Sequence, residues 1–361
     1  MDNVYVYGAG TAGREFLERS RKLLSERIVI KGFIDKNKKE EVCGCPIVNI
    51  DALNESDRII IAIRDCKMAI NIYRDLCARG FKNIWWLKDE DIVPNKKMED
   101  QLFDVRLWSM GAVYQVEMHI VDTCNLNCRG CAHFSPIFKT DLPMIDQRLS
   151  DVKKLNKKIP YISRFYILGG EPFLNPEIGE YAVRIGEILT NSEIWIVTNG
   201  IMIPQIDSSI MKRINQSRAK VSISRYEPTD KMIDRIEHRL EEYGIPYEVR
   251  PSVKKNGFNI PLSLKKNSSY EKLCISNGCI TIWNGFISRC PSLMYINTFN
   301  TYFEQSLPSD GIISLDSSIS GWSLIDKLNE RVPLCDYCVK NPTDWSQCKR
   351  NPVIEDFAVF D

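Results

Sequence analysis

The sequence predicts an α/β protein in three parts, and three features predict it. Apolar runs with polar ends recur between residues 4 and 251, separated by stretches of helical spacing, as parallel βαβ units require. A glycine-rich turn follows the first of these runs. Cysteines concentrate in two places, three between residues 124 and 131 and six after residue 262. With 361 residues, 44% of them hydrophobic, the chain can bury two or three cores. No apolar run reaches membrane-spanning length and the first residues lack a signal-peptide pattern, so a soluble, cytoplasmic protein is expected. In that compartment 13 cysteines point to metal ligation rather than disulfides. A net charge of +1 provides no electrostatic footprint for DNA or RNA, which argues against a tRNA-modifying role.

The first part runs over residues 1–93. Val4 to Tyr7 reads as a strand, Gly8-Ala9-Gly10-Thr11-Ala12-Gly13 as a turn, and Arg14, Phe16 and Leu17 as the opening of a helix. Gly8, Gly10 and Gly13 then allow backbone close to phosphate at a helix N-terminus. A second strand, Ile28 to Ile34, ends at Asp35, an acid placed to accept from a ribose hydroxyl. Strands over Ile59 to Ile63 and Ile84 to Leu87, with a helix from Lys67 to Arg79 between them, complete a Rossmann-like parallel sheet. The bland alternative is such a fold without a ligand. Tyr7-Gly8-Ala9-Gly10, Gly32-Phe33-Ile34-Asp35 and Ile60-Ile61-Ala62-Ile63 resemble the N-terminal domain of bacterial sugar acyltransferases. The resemblance covers about a quarter of the chain and lacks the left-handed β-helix of acyl transfer. It implies a ligand class, a nucleotide-sugar, with NAD as the other option. Cys43, Cys45, Cys66 and Cys77 fit no cluster spacing and read as ordinary reduced thiols.

Residues 94–111 are charged and irregular, with Asn95-Lys96-Lys97 and Glu99-Asp100. They read as a linker with a short helix around Leu102 to Trp108. A barrel-like part, 112–262, opens with a strand from Val113 to Val121 that delivers Cys124, Cys128 and Cys131 on a loop. Three thiols are one short of a closed zinc site, and thiolates in that number leave one iron of a cubane open to a small molecule. The spacing alone also suits a structural zinc loop. Further strands run from Phe165 to Leu168 into Gly169-Gly170-Glu171-Pro172, from Ile194 to Val197 into Thr198-Asn199-Gly200, and from Lys220 to Arg225 through Ser222 and Ser224. Helical stretches fall between them, around Asp146 to Lys157, Ile178 to Leu189 and Lys231 to Tyr243.

The CxxxCxxC loop and the Gly-Gly-Glu-Pro motif resemble the radical S-adenosylmethionine (SAM) enzymes. The resemblance implies a [4Fe-4S] cluster on Cys124, Cys128 and Cys131 with SAM on its open iron. It places Gly169 and Gly170 against the methionine moiety and Glu171 beside its ammonium. Polar strand ends at Thr198, Asn199, Ser222 and Ser224 would serve the ribose and carboxylate. The residue before the third cysteine is usually aromatic in that family and here is Gly130, so stacking on adenine falls to Phe134 or His133. His133 reads equally as a hydrogen-bonded loop residue.

In 263–361, Ile280 to Arg289 reads as a hairpin turning at Asn284-Gly285, framed by Cys274 and Cys290 and followed by Cys335-Asp336-Tyr337-Cys338. This arrangement resembles the SPASM/Twitch extension of radical SAM enzymes and implies one auxiliary [4Fe-4S] cluster on those four cysteines. A zinc knuckle is the alternative. Cys279 and Cys348 are left over, as core thiols or as hydrogen-atom donors. Arg225 and Glu227 stand where a base for a hydroxyl proton is wanted. The expected fold is thus α/β: an N-terminal Rossmann-like parallel sheet, a partial (β/α)6 radical SAM barrel and a small cysteine-rich α+β Twitch-like domain.

The expected function is hydrogen abstraction from a carbohydrate, nucleotide-linked, ending in dehydrogenation or epimerisation, with a flavodoxin- or ferredoxin-type electron donor and neither nucleic acid nor membrane as partner. A peptide maturase and a non-catalytic iron-sulfur nucleotide sensor are the alternatives.

Overall fold

The computed structural model describes residues 2–23, 28–37, 40–63, 66–87, 102–104, 111–139, 142–253, 257–266, 274, 278–349 and 351–360. They form two compact units, 1–112 and 113–361.

The first unit is built on a five-stranded sheet. Strand β1 (Asp2–Tyr7) leads into helix α1 (Thr11–Leu23), then β2 (Ile28–Ile34), β3 (Arg58–Ile61), α2 (Cys66–Ala78), β4 (Asn83–Leu87) and β5 (Leu102–Asp104). The spatial order is β2-β1-β3-β4-β5, parallel except for β5, which runs antiparallel to β4. Val4 and Val6 of β1 and all three isoleucines of β3 are buried, the near-continuous apolar run of a strand covered on both faces. The helix expected from Leu102 onward is corrected: Leu102–Asp104 pair with β4 and close its open edge. Residues 94–101 and 105–110 of the expected linker lie outside the described residues.

Strand order reverses beside β1, and the glycine turn lies at that point. Gly8 takes a left-handed φ of +107°, and a Cβ on Gly13 would meet the Gly8 carbonyl oxygen at 1.9 Å. Gly10 is open, with no atom within 4 Å of its would-be Cβ. Gly13 thus lets α1 pack directly onto the turn, while Gly10 leaves backbone uncovered.

The second unit holds an eight-stranded sheet. In chain order come β6 (Ala112–His119), α3 (Ile145–Lys158), β7 (Tyr161–Leu168), α4 (Ile178–Ile188), β8 (Glu193–Thr198), α5 (Ser208–Ser217), β9 (Lys220–Ile223), α6 (Glu227–Asp230), α7 (Ile233–Glu242) and β10 (Tyr247–Val249). There follow β11 (Phe258–Ser263), β12 (Ile280–Trp283), β13 (Phe286–Ser288), α8 (Pro291–Met294), α9 (Ile296–Phe303), β14 (Ile313–Ser314), α10 (Gly321–Asn329), β15 (Cys338–Thr343) and β16 (Ala358–Val359). The sheet order is β10-β9-β8-β7-β6-β12-β13-β14. Period-two alternation divides it into two faces. Val116, Met118, Phe165, Ile167, Ile194, Ile196, Val221, Ile223, Ile280 and Ile282 join the core formed with α3, α4, α5 and α7. Glu117, His119, Tyr166, Trp195, Ser222, Thr281 and Trp283 are the alternating residues, on the opposite face.

No sixth barrel strand follows β10 among the described residues. Instead β11 leaves the sheet to pair with β15 and β16 in a separate three-stranded sheet, and β12 runs parallel to β6 at its other edge. The boundary expected after residue 262 therefore falls inside β11, and 113–361 pack as one unit. The Asn284-Gly285 hairpin turn forms with positive φ at both residues. It is held by α3: Arg148, 1% exposed, donates to Asn284 Oδ1 at 2.5 Å, and Gly285 N donates to Asp151 at 2.9 Å.

Substituting Gly13→Ala forces apart the turn and α1. Hydrogen exchange of the full chain should show unit 1 destabilised by about 1–3 kcal/mol with exchange in 113–361 unchanged.

Candidate cluster and cofactor sites

Strands β6, β7 and β8 converge on one carboxyl group. Glu171 has no exposed surface; its oxygens accept from Thr198 Oγ1 at 2.7 Å, Asn199 N at 2.9 Å and Phe173 N at 3.1 Å. Burial raises its pKa to about 7 although those three donors favour the carboxylate. Beside it, Gly170 N donates to Val121 O at 2.9 Å and Glu171 N to Thr123 O at 3.0 Å. A Cβ on Gly169 would lie 2.1 Å from Val121 O, and one on Gly170 2.1 Å from Thr123 O and 2.7 Å from Cys124 N. In this structure the two glycines therefore admit the chain that leads into Cys124. Asn199 Nδ2 reaches that loop as well, donating to Asn125 Oδ1 at 2.7 Å with Cys124 Sγ 3.9 Å away.

The charges of Cys128 and Cys131 reach Cys124, and that of Cys131 reaches Cys128. Burial pushes Cys128 up to about 12 and Cys124 further, while for Cys131 the burial penalty is outweighed by His133 and the value falls below the ordinary one. Among the described residues no three His, Cys, Asp or Glu close around a single metal ion. A cubane held by three thiolates keeps one iron open, whereas a closed zinc site takes four ligands, so three thiols on one loop match the cubane in number.

A later segment grips the same loop. Trp345 Nε1 donates to Cys128 Sγ at 3.1 Å, Arg129 N to Ser346 O at 2.9 Å, Gln347 Nε2 to Leu126 O at 2.7 Å, Cys348 N to Asn127 O at 2.8 Å and Gly130 N to Asp356 O at 2.6 Å. Gly130 is at φ +76°, and a Cβ there would strike Asn259 O at 2.5 Å. An aromatic residue cannot occupy that position because β11 fills its space. Tyr226 and Trp345 lie against each other, ring centroids 5.6 Å apart, and the loop thiols are among the charges that raise the Tyr226 pKa, after burial. Neither ring carries a signal in the sequence, because only the return of residues 345–348 to the loop brings them there.

The other four expected ligands also come together. Cys290 caps α8, Cys335 sits in a short 3-10 turn, Cys338 opens β15, and the charges of Cys274 and Cys335 reach both Cys290 and Cys338. Arg289 Nη1 donates to Cys335 Sγ at 3.6 Å and to Glu330 O at 2.5 Å. The two leftover cysteines divide. Cys279 joins the second group, taking a hydrogen bond from Gln115 Nε2 at 3.3 Å, with burial pushing its thiol up to about 12. Cys348 joins the first group.

Several expected roles do not survive the geometry. Phe134 is fully buried between Phe299 and Phe357, at 5.2 and 5.8 Å, so its ring is core and cannot stack on an adenine. His133 faces Glu117 at 3.3 Å and the Cys131 thiol, the hydrogen-bonded loop role. Arg225 pairs with Asp230 at 2.6 Å, and a guanidinium holds its proton, so it serves poorly as a base. Glu227 pairs with Lys231 at the surface. Ser222 donates to Glu248 at 2.7 Å and accepts from Arg250 Nε at 2.8 Å. The backbone N–H of Ser224 donates to Thr198 O at 2.8 Å, which ties β9 to the rim. In unit 1, Asp35 accepts from Ala9 N at 2.8 Å and Asn37 N at 2.9 Å, so its carboxylate braces the glycine turn. Cys43 and Cys77 are exposed free thiols, Cys45 is a buried one, and the Cys66 side chain lies outside the described residues.

Residues 118–244 match the Radical SAM superfamily. The matched residues run from the end of β6 through α7, and the family so matched is one that uses a [4Fe-4S] cluster and SAM. Similar curated proteins are the GTP 3′,8-cyclases of Microcystis aeruginosa, 27% identical over 131 residues (34% of this chain and 39% of that one), and of Alkaliphilus oremlandii, 30% identical over 115 residues (31% and 35%). The chain spans well under half the length of these relatives. Among solved structures it is similar to BtrN in complex with AdoMet and 2-DOIA (12% identity, TM-score 0.38, 63% of this chain and 94% of that one). It is also similar to Streptococcus suis SuiB bound to precursor peptide SuiA (11%, TM-score 0.31, 74% and 79%). No helix among the described residues is long and apolar enough to cross a membrane.

Three outcomes follow from this geometry. Gly170→Ala, which pushes on Cys124, should lower the iron taken up by reconstituted protein by about four per chain, the content of one cubane. Trp345→Phe removes an N–H that stabilises the more negative, reduced state, so redox titration followed by EPR should give a lower midpoint potential for the cluster on this loop. A carboxyl whose folded-state pKa of about 7 lies above its ordinary 4.5 binds more proton folded than unfolded. Its contribution to stability is therefore full at low pH and is lost as pH rises through about 7. Glu171→Gln should flatten the decline in denaturant midpoint of cluster-free protein across that window.

Proposed function

We propose that this protein is a radical SAM enzyme that removes a hydrogen atom from a carbohydrate, in nucleotide-linked form, and carries the product on to a ketone or an epimer. The observation that carries the reading is the presence, in one compact unit, of two separate thiol groups: three on the loop after β6 and four around Cys290. Cys124, Cys128 and Cys131 would hold the cluster that binds SAM, and Cys274, Cys290, Cys335 and Cys338 an auxiliary cluster. Loaded with its cluster and SAM, such a loop supplies a 5′-deoxyadenosyl radical able to take hydrogen from an unactivated carbon. Glu171, Thr198 and Asn199 present polar groups at the same rim, where they would orient SAM.

Two features support a nucleotide-linked substrate. Unit 1 combines parallel strands with a glycine turn whose backbone is open at Gly10. The related cyclases are named for GTP, a nucleotide. We propose that unit 1 holds the nucleotide portion or, in the other option, NAD. The fate of the carbon depends on which thiol group it meets. Dehydrogenation needs an electron acceptor and a base for the hydroxyl proton, whereas epimerisation needs a thiol hydrogen, for which Cys348 and Cys279 are placed one in each group.

Anaerobic turnover in D2O tests this reading: reconstituted protein receives SAM, a strong reductant and a panel of UDP-, GDP- and CDP-sugars, with mass spectrometry of sugar and 5′-deoxyadenosine. Uptake of deuterium by the sugar means epimerisation through an exchangeable thiol, and loss of two hydrogens means dehydrogenation. 5′-Deoxyadenosine formed with every sugar unchanged sinks the carbohydrate reading and favours peptide maturation. Colourless protein that retains zinc sinks the radical reading itself.

A further inference from the structure

Where β6 ends, a group of buried polar side chains leaves atoms unpaired. His119 and Tyr295 have no exposed surface, and their rings stack at 4.5 Å with planes 20° apart. His119 Nδ1 lies 2.8 Å from Asp122 Oδ1, and Asp122 Oδ2 accepts from Trp283 Nε1 at 3.3 Å. A carboxylate only accepts, so Nδ1 carries the imidazole proton and Nε2 presents a bare lone pair. Burial pushes the His119 pKa down to about 4, which keeps the ring neutral near pH 7. The neighbouring Glu117 is partnered, its Oε1 accepting from Thr281 Oγ1 at 2.7 Å and facing His133 at 3.3 Å, whereas Arg148 donates through Nη1 to Asn284 and leaves its Nε unpaired. Among the described residues, His119 Nε2 and the Tyr295 hydroxyl have no partner. A cluster serving only to tie β6 to β12 would be as well served by phenylalanine at position 295, since an unpaired buried hydroxyl costs stability. The charges of Cys131, Asp122, Glu117 and Arg148 all reach Tyr295, five residues after Cys290.

We propose that His119 and Tyr295 form a hydroxyl-binding site beside the two thiol groups, in which one oxygen donates its hydrogen to His119 Nε2 and accepts one from the Tyr295 phenol. The O–H group comes from a hydroxylated substrate or from a held water. The substrate source rests on the carbohydrate reading above; the site itself does not. Asp122 and Trp283 are positioning residues, fixing the imidazole so that Nε2 is the acceptor.

The test uses anaerobically reconstituted full-length protein, wild type, Tyr295→Phe and His119→Gln, with melting temperature measured without ligand and affinity for the same UDP-, GDP- and CDP-sugars measured by calorimetry without SAM. A substrate hydroxyl predicts that Tyr295→Phe weakens binding about tenfold while its melting temperature holds or rises. His119→Gln should weaken binding similarly. A held water predicts a lower melting temperature in Tyr295→Phe with unchanged affinity. Unchanged affinity together with an unchanged or raised melting temperature in Tyr295→Phe overturns the site. If no sugar binds the wild type, the carbohydrate reading fails separately, and the melting temperature alone decides between a held water and no site.

Discussion

The buried carboxyl of Glu171 ties together the rim on which the candidate site depends. It accepts from the end of β8, at Thr198 and Asn199, and from Phe173 in its own turn, and has no exposed surface of its own. A group so placed is costly to bury charged and costly to leave unpaired. The surrounding backbone is therefore constrained to deliver donors, and delivering them fixes where β7 and β8 stop. The same constraint sets Asn199 against Asn125 and so reaches the cysteine loop. The raised pKa leaves the carboxyl close to changing state near neutrality, so a cation arriving beside it would draw it into the ionised form.

The loop itself has few bonds within its own sequence neighbourhood. Its backbone partners at Leu126, Asn127, Arg129 and Gly130 come from Ser346, Gln347, Cys348 and Asp356, more than 200 residues along the chain. Contacts of that separation pay a large closure entropy, so the three thiols reach their mutual arrangement only once the rest of unit 2 has assembled. The arrangement also gives the cysteine loop a covering of Trp345 and Tyr226 in place of an aromatic residue at position 130, where β11 leaves no room.

Local patterns in the sequence were informative where the chemistry is local. The Gly8 to Gly13 turn, the Asn284-Gly285 hairpin and the polar strand ends at Glu171 and Thr198 each depend on residues within a few positions, and each is found where its pattern lies. What escaped the sequence depends on long-range packing. Phe134 looks like an aromatic next to a cofactor loop, yet its left-handed backbone at φ +53° turns it into a core shared with Phe299 and Phe357. β11 carries an ordinary apolar pattern that cannot say which sheet it joins. Leu102–Asp104 read as a possible helix opening until β4 offered an unpaired edge. The separation of Cys279 from Cys348 is likewise invisible without the fold, since each is only a free thiol by spacing.

The relation between the two thiol groups is set by a strand register. β12 pairs with β6 so that Thr281 stands opposite Glu117, with Ile280 and Ile282 opposite Val116 and Met118. That register puts both isoleucines in the helix-covered core and leaves Thr281, Glu117 and His119 on the other face. From there Glu117 touches His133, next but one to Cys131, on one side, and its charge reaches Cys279 on the other. A slip of one residue would expose the apolar pair and turn Thr281 away from Glu117, so burial enforces the register more strictly than the polar contacts could. The spacing between the two candidate redox sites is therefore fixed by hydrophobic alternation in two short strands, and the polar chain from His133 through Glu117 to Thr281 follows from it.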